Sequence, residues 1–196
     1  MKKYSIIYAD PPWSYQTFKN VPAGRPGSIP YRAMRMVDIY SLPVNDIAEK
    51  DSVLFLWCTS PLLPEALYCL KAWGFEFKCV AFTWVKRNKT ADSWFWGMGW
   101  WTRSNPEFCL LGTRGKPKRV SAKVHSVIDD RIMEHSTKPE TVRSRIIELC
   151  GDKSRIELFA RKPSEGWDIF GNEVQSDKDM GLRAIGIEID ERHCKK

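Results

Sequence analysis

Apolar runs short enough to be strands alternate along this chain with long polar, proline- and glycine-rich intervals. Tyr4-Ser5-Ile6-Ile7-Tyr8-Ala9 is the first run, β-branched and aromatic, and it predicts a buried strand. Asp10-Pro11-Pro12-Trp13 stops it, because proline has no N–H for a ladder and pushes the preceding residue out of the helical region. Residues 14–35 show no periodicity, and a loop of that length in a compact domain is usually functional or disordered. Residues 36–48 read as a short helical turn and connector. Ser52–Cys58 is continuously apolar, as in a strand buried on both faces. Ser60-Pro61 then opens a helix from Leu62 to Trp73, and Gly74 stops it. Phe75–Val85 is a further strand, so this strand–helix–strand order predicts a parallel sheet with a right-handed crossover.

A second long loop, 86–106, leads to a strand at Glu107–Gly112 and an exit at Gly115-Lys116-Pro117-Lys118. Residues 125–134 read as irregular or β. His135-Ser136-Thr137-Lys138-Pro139-Glu140 has the composition of a capped helix start, and that helix is expected to run to Cys150 before Gly151. Ser154–Arg161 is the last clear strand. Arg183–Asp190 reads as a terminal strand, with Glu188 as a second acid on an apolar run.

Composition narrows this picture in two respects. A chain of 196 residues with 43% apolar content suits one domain with a sizeable core, and residues 1–196 are taken as a single unit, 175–196 being an extension of undefined role. No apolar run approaches a membrane span, no signal peptide is evident, and the six cysteines form no C-x-x-C pair. A reducing, cytoplasmic setting (the host's if phage-encoded), no membrane and no metal are the expectations.

The net charge of +7 is unevenly placed. Lys86 to Arg119 holds eight basic residues against Asp92 and Glu107, interleaved with Trp94, Phe95, Trp96, Trp100 and Trp101. Cations mixed with aromatics suit a phosphate backbone with unstacked bases. The strand end suits the same partner. Asp10 and the Pro11 carbonyl can both accept from an exocyclic amine, and Trp13 offers a face for stacking a base. Glu157, inside an apolar strand, must face solvent or find a partner.

The strand-D-P-P-W unit resembles the DPPW-type adenine-N6 methyltransferases, the family of the eukaryotic messenger-RNA adenosine methylase and of small bacterial and phage members. The similarity runs from residue 4 to about 174. It implies a Rossmann-like α/β methyltransferase with a mostly parallel sheet and helices on both faces, using S-adenosyl-L-methionine to methylate the N6 amine of adenine. DNA is favoured over RNA as the substrate, with a non-catalytic partner subunit as the rival reading and a monomer, homodimer or heterodimer as the assembly. The resemblance assigns Asp10, Pro11, Pro12 and Trp13 to catalysis. It places Asp10, Glu157, Arg161, Asn172 and Glu173 on the cofactor, with Glu157 on its ribose. Tyr31, Lys86, Trp94, Asn105 and Glu107 are assigned to the substrate pocket. Pro106 stands where the eukaryotic enzyme carries a lysine, so Lys86 is expected to bring positive charge to the site.

Overall fold

The computed structural model describes residues 2–14, 33–99, 101–133 and 137–171. Tyr31, Trp100, Asn172, Glu173 and Glu188 lie outside these residues. Strands β1 (Tyr4–Ala9), β2 (Ala48–Thr59), β3 (Glu76–Arg87), β4 (Glu107–Arg114), β5 (Val127–Arg131), β6 (Arg155–Leu158) and β7 (Asp168–Phe170) form one sheet in the order β5-β3-β4-β2-β1-β6-β7. All neighbouring pairs are parallel except those that β4 makes with β2 and β3.

Helices α1 (Met36–Tyr40), α2 (Val44–Ile47) and α3 (Leu63–Ala72) cover one face of the sheet. They bury Ile39, Val44, Ile47, Ala66, Cys69 and Leu70 against Ile7, Leu54 and Leu56. Helix α4 (Thr141–Cys150) covers the other, packing Val142, Ile146 and Cys150 with Ile6, Phe55, Trp57 and Phe82. This is the Rossmann-like α/β arrangement with helices on both faces. No helix among the described residues is long and apolar enough to cross a membrane.

Two features depart from the expected pattern and both bear on the site. Strands β2 and β3 are parallel, as their linking helix requires, yet β4 inserts between them in the opposite direction. Its first residue, Glu107, therefore pairs with Thr59 and Trp84 at the carboxyl ends of β2 and β3. The helix expected from His135 begins only at Thr141. Pro139 disfavours helical geometry at Lys138, which stays in the segment leading to α4.

Candidate active site

Chain leaving β1 runs to the helices on one face, whereas chain entering β6 comes from α4 on the other. The carboxyl end of β1 thus lies at a topological switch point, where open α/β sheets leave a crevice for a ligand. Asp10 stands there. Trp13 N–H donates to the Pro11 carbonyl at 2.8 Å, which fixes that carbonyl's direction and leaves one lone pair. Pro12 is tied down as well, its carbonyl accepting from Met34 N–H at 2.9 Å.

Four alternating charges converge on this corner. Lys138 Nζ donates to Asp10 Oδ2 at 2.7 Å and lies 3.3 Å from Glu107 Oε2, while Lys86 Nζ donates to Glu107 Oε1 at 2.5 Å. The antiparallel course of β4 is what delivers Glu107 to the edge where β1 and β3 end. Burial raises the Asp10 carboxyl above its ordinary value, and the Lys138 ammonium offsets only part of this. Burial also opposes charge on Glu107, but Lys138 and Lys86 together outweigh it and hold the carboxyl low. Lys138 itself resists burial, yet Asp10 and Glu107 raise it above an ordinary lysine. The shared ammonium therefore stays charged, and Asp10 carries the uncompensated part of the burial cost. Burial and the Glu107 charge push the nearby Cys58 thiol up to about 12, so it remains protonated and is no nucleophile.

Several expected roles change once side chains are placed. Trp13 is only 5% exposed, packs into the core, and donates its indole N–H to the Trp57 carbonyl at 2.9 Å. Its ring is an anchor and not an open stacking face. Trp57 continues the anchor, its indole N–H donating to Tyr8 Oη at 2.7 Å. Trp13→Phe should therefore cost about 1 kcal/mol, read by thermal melting.

Asn105 is also structural. Its amide brackets the Lys86 backbone, accepting from Lys86 N–H at 2.8 Å and donating to the Lys86 carbonyl at 2.9 Å, with a further bond to the Phe95 carbonyl. It fixes the base of the 88–106 loop. Trp94 lies under the Arg87 guanidinium, 4.4 Å from ring centroid to Cζ, and bridges Arg87 at the end of β3.

Glu157 finds a partner on a neighbouring element. It is 7% exposed, and Arg143 grips both its oxygens, Nε to Oε2 at 2.7 Å and Nη2 to Oε1 at 2.8 Å. Burial raises its carboxyl, with Arg143 opposing. Helix α4 supplies the partner because Glu157 points to the face that α4 covers. Beyond β6, Phe159 adopts φ 62°, a costly left-handed conformation for an aromatic residue. The Ala160 N–H bond to the Phe170 carbonyl holds it, and Gly171 permits the approach, since a Cβ there would lie 2.1 Å from the Ala160 carbonyl oxygen. This kink leads to Arg161, whose charge acts on Asp10.

The basic tract is likewise divided. β4 runs from Glu107 at the site to Arg114 at the opposite edge, about 23 Å at strand rise. Lys116, Lys118 and Arg119 thus belong to a different surface from Lys86 and Arg103. The residue that sequence reasoning missed is Lys138. Its signal was the lysine directly before Pro139, read there as part of a helix start.

A mostly parallel sheet flanked by helices, with an acidic strand end at its switch point, is a Rossmann-like α/β domain. The chain belongs to the MT-A70 family, whose model matches residues 4–173. It is 32% identical over 194 residues to the type II methyltransferase M.MunI of Mycoplasma sp, covering 90% of this chain and 80% of that one. It is 30% identical over 188 residues to the putative N(6)-adenosine-methyltransferase MT-A70-like of Medicago truncatula, spanning 93% of this chain but 28% of that longer protein. A similar match, 28% identical over 186 residues, joins it to the N(6)-adenosine-methyltransferase non-catalytic subunit METTL14 of Drosophila melanogaster, at 88% of this chain and 47% of that one.

Proposed function

We propose that this chain is a catalytic subunit that methylates the N6 amine of adenine in DNA with S-adenosyl-L-methionine. The observation that carries the reading is the Asp10–Lys138–Glu107–Lys86 charge network at the carboxyl edge. Asp10 Oδ1 and the remaining lone pair of the Pro11 carbonyl would hold the two amine hydrogens, turning the nitrogen lone pair out of conjugation. Burial that raises the Asp10 carboxyl also suits it to take the proton that the methylated amine sheds.

The donor set fits the cofactor at its amino-acid end, where Lys138 matches a carboxylate and Asp10 an ammonium. Arg161, Asn172 and Glu173 are the residues proposed for its nucleoside end, and Glu157 could reach the ribose only by sharing its oxygens with Arg143. When bound, S-adenosyl-L-methionine supplies a methyl group on a sulfonium centre. Tyr31, in the loop after Trp13, is proposed to border the substrate pocket, and the protein to work in the cytoplasm. DNA is preferred because the match to the type II methyltransferase runs over most of both chains, whereas the plant adenosine methyltransferase is matched over under a third of its length.

Methyl transfer from labelled cofactor to matched single-stranded DNA, duplex DNA and RNA, followed by nucleoside analysis, tests this. N6-methyladenine in DNA is expected. Label only in RNA would overturn the substrate, and no label with no cofactor binding would favour a non-catalytic partner subunit.

A further inference from the structure

The 88–106 loop springs from Lys86 and Glu107, both members of the charge network, so it rises from the rim of the site. It is braced along its length. Asn88 N–H donates to the Ser93 carbonyl at 2.9 Å, and Phe95 N–H to that of Lys86 at 2.9 Å. Gly97 N–H donates to the Ser104 carbonyl at 2.7 Å. Arg103 reaches back across the tip, Nε to the Gly97 carbonyl at 3.0 Å and Nη2 to that of Trp96 at 2.9 Å. Gly99 lets the turn close, since a Cβ there would lie 2.0 Å from the Thr102 carbonyl oxygen.

On this braced tip stand the most exposed large apolar side chains of the described residues. Trp101 is 99% exposed and Met98 81%, with Trp96 at 55% beside them. An indole this exposed is a convex knob and not the wall of a groove. A single strand tracking the protein would be served by a groove lined with aromatic faces. A knob instead fits a gap.

We infer that Trp101, with Met98 beside it, is a wedge that enters duplex DNA and fills the space vacated when the target adenine is turned out of the stack. This rests on the methyltransferase reading above and adds the strandedness of its substrate. A paired adenine cannot reach Asp10, so a duplex must surrender it, and apolar side chains inserted at a base step are the general means of stabilising unstacked DNA. Arg103 brings a cation to the tip, and the loop is rooted at Lys86 and Glu107, which belong to the same charge network as Asp10.

The methylated site is first mapped in plasmid DNA, then presented in short oligonucleotides as a single strand, a fully paired duplex, and a duplex with an abasic position opposite the target. Trp101→Ala should lose about tenfold or more in kcat/KM on the paired duplex. It should keep most of the single-strand rate and recover on the abasic duplex, where extrusion is cheap. Trp101→Phe should rescue part of the loss. 2-Aminopurine at the target position should brighten when the wild type binds the duplex and stay dim with Trp101→Ala. This readout does not require turnover by the variant, so loss of extrusion is distinguished from loss of methyl transfer; a wild type that leaves no methylated site in plasmid DNA would overturn the methyltransferase reading and the wedge with it. Equal losses on all three substrates, no loss on the duplex, a wild type that methylates only single strands, or a change confined to oligomeric state in light scattering would each overturn the wedge. The last would make the tip a protein interface.

Discussion

Asp10→Asn should lower kcat by a factor of about 100–1000 while the melting profile stays cooperative. The substitution keeps the shape of the side chain and removes the charge proposed to face the amine. Lys138 keeps Glu107 at 3.3 Å, so its ammonium is not stranded. The linkage sign makes the stability prediction sharp. Burial raises the Asp10 carboxyl, so the folded state binds its proton more tightly than the unfolded chain does. The contribution of Asp10 to stability therefore falls as pH rises from the ordinary carboxylate value to the folded one, and is flat above that. Asparagine carries no such cost, and Tm at neutral pH should match or exceed that of wild type. For the wild-type enzyme, kcat/KM should fall on acidification at a pH above the ordinary aspartate value of about 4, as Asp10 takes up its proton. Lys138, raised by its two carboxylates, should add no alkaline limb below the ordinary lysine range. Kinetics across pH and calorimetry of both proteins check these outcomes; an Asp10→Asn protein with rates near wild type would mean that the amine is held elsewhere.

What could be read in the sequence is local, and what could not is pairing. The strand ending at Asp10, the helix before Gly74 and the apolar run at Ser52–Cys58 declare themselves because each depends on a few neighbouring residues. The antiparallel insertion of β4 does not. Its residues look like any apolar strand, and its direction is fixed by register with Thr59 and Trp84, far off in the chain. That direction decides which basic residues share the site, so the tract from Lys86 to Arg119 was legible as charge and not as two surfaces. Trp13 shows the same limit, since its environment depends on Trp57 from the neighbouring strand. Lys138 was hidden for the opposite reason: the local pattern of caps and acids around it favoured a helix, and the single proline after it ruled that out.

Arg143→Met is the change expected to hurt the fold most. It strands the Glu157 carboxylate, 7% exposed on β6, without the guanidinium that holds both its oxygens. Breaking a buried pair from one side costs about 3–5 kcal/mol, which in a domain of this size lowers Tm by about 10 °C. The loss should shrink as pH falls, because Glu157 is already raised by burial and, unpaired, is raised further, so acid neutralises the stranded charge. Glu157→Gln alone should cost less, since Arg143 retains Glu140 at 2.8 Å. Arg143→Met combined with Glu157→Gln removes both charges and should regain most of the stability, the non-additivity being the energy of the pair. The same double variant separates the two roles open to Glu157. If Glu157 does no more than hold Arg143, cofactor affinity by calorimetry returns along with Tm. If the carboxylate also accepts from the cofactor ribose, Tm returns and affinity does not, since the amide gives up the charge that strengthens such a bond.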